Sequence, residues 1–146
     1  MHTPTRTVQQ VLARKTPRLV SIEPRATVLD ALELMARHDI GSLVVLDGDR
    51  LAGIFSERDY ARQVVLLGKS SRETAVRDIM THKVVCVRPD QTVVDCMGLM
   101  TAKRIRHLPV LDHKKVVGVI SIGDVVKELI SEQQYMIEQL EHYIHS

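Results

Sequence analysis

An internal repeat constrains this chain of 146 residues more than any other feature. Residues 45–59 and 110–124 share one order of parts: a β-branched run, Asp, a polar turn, an apolar run containing Gly, and Ser-x-x-Asp. The copies lie 65 residues apart, the interval from Asp59 to Asp124, and they align without a gap back to Pro24 and Pro89. Because similar sequences adopt similar structures, we predict two related halves.

The composition excludes several classes of protein. The chain is 45% hydrophobic and 26% charged, which is typical of globular proteins, and its formal charge of +2 does not favour binding to nucleic acid or membrane surfaces. The 3% of aromatic residues argue against stacking on single-stranded nucleic acid. Two cysteines, no apolar N-terminal segment and no run of membrane-spanning length lead us to expect a soluble cytoplasmic protein.

The first half predicts the element order β-α-β-β-α after a short helix. Val8, Val11 and Leu12 have helical spacing, Thr27 and Asp30 form a potential capping box, and Asp-Gly between apolar runs indicates a hairpin. The predicted elements are a helix over 7–13 broken at 15–18, a strand over 19–22, a helix over 27–37, strands over 42–46 and 51–55, and a helix over 56–67 with Tyr60, Val64 and Leu67 facing inward.

The second half predicts the same order. Its elements are a helical turn over 76–80, a strand over 84–87, a helix over 92–102 capped by Thr92 and Asp95, strands over 108–111 and 116–120, and a helix from Ser121. We therefore predict an α+β fold with repeat one at 8–67, a linker at 68–75, repeat two at 76–130 and a C-terminal helix at 131–146. Units this small bury little surface alone, so the repeats should pack face to face about a pseudo-two-fold axis.

The C-terminal helix has an apolar stripe. Its members are Leu129, Gln133, Met136, Leu140 and Ile144. The stripe could cover the module or meet another subunit, and packing within the module is the simpler interpretation.

The repeat and its Gly-x-x-Ser-x-x-Asp ending resemble a tandem pair of cystathionine-β-synthase (CBS) domains, a Bateman module. The matching residues are Val-Arg-Asp-Ile-Met at 76–80, Arg-His-Leu-Pro-Val at 106–110, and the endings at 53–59 and 118–124. The resemblance covers about residues 8–130. It implies a regulatory module that binds AMP, ADP or ATP, with NAD or S-adenosylmethionine as further candidates, and reports to an unknown effector protein. It also implies a homodimer, because Bateman modules often associate through their helices.

The Ser-x-x-Asp pairs have two interpretations. Ser56 with Asp59, and Ser121 with Asp124, could be capping boxes that stabilise a helix start by about 1 kcal/mol. Alternatively, the Asp accepts hydrogen bonds from ribose hydroxyls while the helix N-terminus favours phosphate. Spacing alone favours capping, whereas in CBS modules the Asp holds the ribose and the Ser faces phosphate. With the resemblance, we prefer ligand binding.

The resemblance also assigns positive charge to one site. Residues at the positions of Arg106 and His107 often contact phosphates of the ligand held by the opposite repeat, which pairs them with Ser56, Arg58 and Asp59. The alternative is that Arg106 and His107 are surface residues at a strand edge.

The equivalent positions in repeat one, Gly41 and Ser42, carry no charge, and Gly123 stands at the position of Arg58. They leave the site of Ser121 and Asp124 with little positive charge. Its ligand is therefore expected to be AMP or another less charged adenosine compound.

Adenine is expected against the first strand of each repeat. Ile22 and Val87 would supply apolar walls, and the backbone near Ser21 and Cys86 would supply hydrogen bonds; the alternative is that Ile22 and Val87 are core residues. No His or Cys cluster predicts a metal, and no sequence signature marks a catalytic site. Rival hypotheses are a nucleotide-processing enzyme and a structural interaction protein with empty clefts.

Overall fold

The computed structural model describes residues 6–15 and 19–145. Its elements in chain order are α1 (Val8–Arg14), β1 (Ser21–Ile22), α2 (Val28–His38), β2 (Ser42–Asp47), β3 (Arg50–Ser56), α3 (Glu57–Tyr60) continued by a π-helical segment (Ala61–Val65), α4 (Val76–Ile79), α5 (Val93–Lys103), β4 (His107–Asp112), β5 (Lys115–Ser121) and α6 (Ile122–His145). The N-terminal residues 1–5, most of the predicted helix break at 15–18, and Ser146 lie outside the described residues.

The chain divides into two compact units. Of the described residues, the first-repeat unit contains 19–85 together with 113–116, and the second-repeat unit contains 6–15, 86–112 and 117–145. Helix α1 begins repeat one in sequence but belongs to the second-repeat unit. Helix α4 likewise begins repeat two in sequence but belongs to the first-repeat unit.

The first-repeat unit is built on a three-stranded sheet in the order β1-β2-β3. Strands β2 and β3 form the predicted antiparallel hairpin, in which Ser42 pairs with Ser56. Strand β1 runs parallel to β2 and pairs Ser21 with Val44. The sheet therefore brings the end of β3 beside the start of β2.

Helices cover one face of this sheet. Helix α2 starts at the predicted capping box, in which Thr27 and Asp30 bond each other's backbone N–H groups. The core of the unit consists mainly of aliphatic residues and methionine, as the low aromatic content leads one to expect; it contains Val28, Ala31, Met35, Leu43, Val45, Phe55, Val64, Val76, Ile79 and Met80.

The helix predicted over 56–67 differs from the observed one. Only Glu57–Tyr60 is α-helical, and Ala61–Val65 is π-helical. Tyr60 packs against the core and Val64 is buried, as predicted, but Leu67 is 58% exposed, so its inward placement is wrong. A π-turn uses more residues than an α-turn, so positions after it leave the face that α-helical spacing would give them.

The second-repeat unit contains the predicted hairpin of β4 and β5, and helix α5 with its capping box of Thr92 and Asp95. The prediction of a strand over 84–87 is wrong, because this segment meets the hairpin through an isolated parallel bridge from Val87 to Val110. Val87 donates to the Pro109 carbonyl at 3.0 Å and accepts from the Leu111 N–H at 2.9 Å. Extending this ladder toward the N-terminus would need an N–H from Pro109, which proline lacks.

Helix α1 docks onto this unit through its backbone. The Val8 N–H donates to the Gln91 carbonyl at 2.8 Å, and the Val93 N–H donates to the Arg6 carbonyl at 2.9 Å. Val8 and Val11 are buried. The first helix of the sequence therefore serves as an element of the second-repeat unit.

Helix α6 is continuous from Ile122 to His145. Within the predicted stripe, Leu129 is half-buried, whereas Met136, Leu140 and Ile144 are exposed. The interpretation that the stripe packs within the module is therefore confirmed near Leu129 and is wrong for Met136, Leu140 and Ile144. Among the described residues, no helix combines the length and apolar character needed to span a membrane.

Candidate functional site

Both Ser-x-x-Asp pairs form complete capping boxes at the end of a hairpin strand. The Asp59 N–H donates to Ser56 Oγ at 3.2 Å, and Asp59 Oδ2 accepts from the Ser56 N–H at 2.9 Å. The Asp124 N–H donates to Ser121 Oγ at 3.2 Å, and Asp124 Oδ2 accepts from the Ser121 N–H at 2.8 Å. Both Ser-x-x-Asp pairs therefore cap a helix. Ligand binding, if it occurs, would be a second role of the same side chains.

The two Asp carboxylates differ in the partner that reaches them from outside the capping box. Thr81 Oγ1 donates to Asp59 Oδ1 at 3.1 Å, whereas Lys15 Nζ donates to Asp124 Oδ2 at 2.8 Å. Lys15 Nζ also donates to the Val119 carbonyl at 2.9 Å. The expectation of little positive charge beside Asp124 is therefore wrong. Lys15 and Asp124 are 109 residues apart, so only the docking of α1 onto the second-repeat unit reveals the pair.

This cation changes the acidity of Asp124. Burial would raise the pKa of the Asp124 carboxyl, but hydrogen bonds from Lys15 and from the Ser121 backbone outweigh burial and lower that pKa below its ordinary value. The carboxylate therefore stays ionised at neutral pH and available as a hydrogen-bond acceptor.

Neighbouring residues of the predicted site lie at the same strand ends. Ser42 is buried opposite Ser56, and the Glu57 N–H donates to the Gly41 carbonyl at 3.1 Å. Arg58 is exposed on the first turn of α3.

In the second-repeat unit, the Ile122 N–H donates to the Arg106 carbonyl at 2.8 Å, and His107 begins β4. The backbone of Arg106 thus adjoins the first turn of the helix that carries Asp124. The pairing of Arg106 and His107 with Ser56, Arg58 and Asp59 stays a prediction.

The glycines in the repeated endings provide room for protein atoms. A Cβ on Gly53 would lie 2.7 Å from Met80 Sδ and 2.7 Å from the Thr81 carbonyl oxygen. A Cβ on Gly118 would lie 2.7 Å from Leu12 Cδ2. Residues of α1, or those just after α4, therefore occupy the space beside each glycine.

The residues predicted to contact adenine lie in different surroundings. Ser21 and Ile22 are half-buried and line a cavity of about 570 Å³ together with Asp30, Glu33 and Arg37. That cavity does not include Ser56 or Asp59, so it does not by itself support the adenine assignment.

Val87 is buried, which matches the core alternative, and Cys86 is half-buried. Burial raises the pKa of the Cys86 thiol, and burial together with Asp95 raises the pKa of Cys96 to about 11. Both thiols are therefore protonated and weakly reactive at neutral pH. Within residues 6–15 and 19–145, no group of three or more His, Cys, Asp and Glu side chains could hold a metal ion.

Comparison with known proteins decides the family. A family model described as the CBS domain matches residues 8–66 and 76–131. The chain belongs to the CBS domain family. It is 44% identical over 123 residues to the CBS domain-containing protein CBSX3, mitochondrial, of Arabidopsis thaliana, covering 81% of this chain and spanning 60% of that protein's length.

Solved structures of CBS proteins share the fold. A protein with CBS domains from Burkholderia ambifaria MC40-6 superposes with a TM-score of 0.84 at 50% identity, covering 88% of this chain and 96% of that one. The CBS domain pair of protein MJ0100, solved with 5′-methylthioadenosine and S-adenosyl-L-methionine, gives a TM-score of 0.78 over 88% of this chain and 99% of that one. Its 24% identity makes it evidence for the fold alone.

Proposed function

We propose that this CBS domain pair is a regulatory module that binds adenosine-containing ligands at Asp59 and Asp124. The candidates are AMP, ADP and ATP, with NAD and S-adenosylmethionine as further members of the class. The observation that carries the proposal is the repeated Ser-x-x-Asp helix start, with a carboxylate at a strand end in each unit. Membership of the CBS domain family supports the same ligand class.

The chemistry of these groups suits a nucleoside. A carboxylate offers two acceptor oxygens and can receive hydrogen bonds from both hydroxyls of a ribose. The N-terminus of α6 presents backbone N–H groups and the positive end of a 24-residue helix, which favours a phosphate nearby. The proposed site thus combines a sugar anchor and a phosphate anchor within one turn of helix.

Thermal unfolding with added ligand tests the proposal directly. A ligand that binds only the folded state stabilises it by about 2.7 kcal/mol at a hundredfold excess over Kd. We expect at least one of AMP, ADP, ATP, NAD and S-adenosylmethionine to raise Tm at millimolar concentration. Unchanged melting with all five would remove the proposal.

Asn substitutions separate ligand binding from capping. Asp59→Asn and Asp124→Asn should each weaken one binding site, because Asn replaces a charged acceptor pair with one acceptor and one donor. Asp95→Asn is the matched control, since Asp95 caps α5 with the same geometry and belongs to no predicted site. All three should cost stability, but only the first two should alter calorimetric titrations. Equal titrations for all three would favour capping alone.

Arg106 and His107 are proposed to contact phosphate. The test is titration of Arg106→Ala with AMP and with ATP, in which the affinity is measured separately for the Asp59 and Asp124 sites. We expect ATP to lose more affinity than AMP, because Arg forms strong charge-assisted bonds to phosphate. Equal losses would exclude a phosphate contact.

The module is further proposed to be a cytoplasmic homodimer that signals to an effector protein without catalysing a reaction. The exposed Ile130, Leu140 and Ile144 of α6 offer apolar surface to another subunit or to the effector. Light scattering of the purified protein tests the dimer, and a monomer mass would reject it. Incubation with ATP, AMP and NAD, followed by product analysis, tests the absence of catalysis, and any product would reject it.

A further inference from the structure

We propose that Lys15 determines ligand specificity at the Asp124 site, where it selects phosphorylated adenosine compounds over adenosine itself. This inference rests on the proposed function. The Lys15 ammonium group pairs with the Asp124 carboxylate in the structure. When a nucleotide occupies the site, the Lys15 side chain would move so that its ammonium group pairs with a phosphate instead.

The ion pair occupies the group that a ribose would use. Lys15 Nζ lies 2.8 Å from Asp124 Oδ2, the oxygen that also accepts from the Ser121 N–H. A ribose hydroxyl that binds Oδ2 therefore competes with the ammonium group for that oxygen. Adenosine can engage both oxygens of Asp124 only by displacing Lys15 from Oδ2, and it offers the displaced cation no anion in return.

A nucleotide offers that anion. Asp124 lies in the first turn of α6, whose N-terminus favours negative charge, so a phosphate attached to a ribose at Asp124 would lie near this helix start. The flexible four-carbon stem of Lys lets its ammonium group move from carboxylate to phosphate while its backbone stays in place. A nucleotide therefore replaces the Lys15–Asp124 ion pair with a Lys15–phosphate ion pair, whereas adenosine breaks the first pair without forming another.

The surroundings hold the backbone of Lys15 in position for this exchange. Arg6 Nε lies 2.8 Å and Arg14 Nη1 lies 3.4 Å from the carboxylate of Glu128, which is buried on α6. These two contacts fasten both ends of α1 to α6 independently of Lys15. Movement of the Lys15 side chain therefore does not require α1 to leave.

The equivalent carboxylate of the first repeat has a different partner. Asp59 accepts a hydrogen bond from the hydroxyl of Thr81, which is neutral and cannot pair with a phosphate as a cation does. Selection for phosphate through the partner of the carboxylate is therefore expected at Asp124 and not at Asp59. This contrast distinguishes the proposal from a general effect of charge on the whole protein.

The test is calorimetric titration of Lys15→Met with adenosine and AMP in an Asp59→Asn background, which leaves the Asp124 site to be measured. Met keeps an apolar stem of similar length without the charge. We expect AMP to lose about tenfold in affinity, the scale of one charge-assisted hydrogen bond, while adenosine binds equally well or better. Lys15→Arg should retain the preference for AMP, because it keeps the cation.

A purely structural ion pair predicts a different result. If Lys15 only fastens α1, Lys15→Met should lower the unfolding free energy and leave the ratio of AMP to adenosine affinity unchanged, and that outcome overturns the proposal. An equal loss for both ligands also overturns it. If the otherwise native protein binds neither AMP nor adenosine, nor any other adenosine compound, the proposed function itself has failed.

Discussion

Gly53→Ala should destabilise the protein far more than Gly118→Ala, although the two glycines occupy equivalent positions in the repeat. An added Cβ at Gly53 would approach the Thr81 carbonyl oxygen to 2.7 Å, a backbone atom that cannot rotate away. That carbonyl accepts from the Ile54 N–H at 3.0 Å, and the Thr81 N–H donates back to Ile54 at 2.9 Å. The added methyl group must therefore separate Ile54 from Thr81 and weaken the two backbone hydrogen bonds that hold the segment after α4.

The expected losses follow from these contacts. Weakening two backbone hydrogen bonds at about 1 kcal/mol each, together with overpacking at a buried strand position, gives about 3 kcal/mol for Gly53→Ala. At Gly118 the approaching atoms belong to the side chain of Leu12, with Cδ2 at 2.7 Å and Cδ1 at 3.2 Å. A leucine can change rotamer, so we expect about 1 kcal/mol there.

Urea unfolding of both variants measures the difference, and circular dichroism at 222 nm is a suitable signal for so helical a protein. Met80→Ala provides the control, since Met80 Sδ also lies 2.7 Å from the added Cβ. If the backbone contact dominates, Gly53→Ala should cost nearly as much in a Met80→Ala background as in the native protein. The reasoning is refuted if Gly118→Ala costs as much as Gly53→Ala, or if Gly53→Ala costs little in the Met80→Ala background.

Two ion-pair predictions follow from the docking of α1. The double variant Arg6→Ala and Arg14→Ala should lower the unfolding free energy by about 3 kcal/mol, because it leaves the buried Glu128 carboxylate unpaired. Glu128→Gln should lower it less, because the two arginines left behind are partly exposed and water can solvate them. Equal losses of unfolding free energy in urea would contradict this reasoning. The stability difference between the native protein and Lys15→Met should be about 1 kcal/mol at pH 7, since the pair is partly exposed. Because the folded pKa of Asp124 lies below its unfolded value of about 3.8, this difference should persist down to about pH 4 and shrink as the pH falls through the folded pKa. A difference that does not shrink below pH 4 would show another origin.

The elements encoded by local sequence were predicted well. Capping boxes at Thr27 and Thr92, the Asp-Gly hairpin turn and the strand endings at Ser56 and Ser121 all depend on residues within a few positions of one another. Their geometry is set by the neighbouring backbone, so spacing alone suffices to place them.

Two local errors have specific physical causes. The strand at 84–87 had a suitable β-branched composition, but its pairing depended on Pro109 in another strand, which lacks the required N–H. Leu67 had α-helical spacing to Val64, but the π-helical segment before it changed the face on which it lies.

The candidate sites were harder to predict than the fold. The Asp residues were identifiable from the repeat, whereas Thr81 and Lys15, which contact them, come from segments that lead into the other repeat. No periodicity reports such a contact, because it depends on where a connecting segment docks. The charge at Asp124 could therefore be assigned only with the structure.

That docking also governs how the protein can be divided. A fragment starting at Val76, where repeat two begins in sequence, would carry Glu128 and Asp124 but neither Arg14 nor Lys15, and its leading helix α4 would be separated from the core it completes. The gene therefore cannot be cut at its sequence repeat to yield two working halves. An independent second half requires residues 6–15 to be joined by a linker ahead of residue 86.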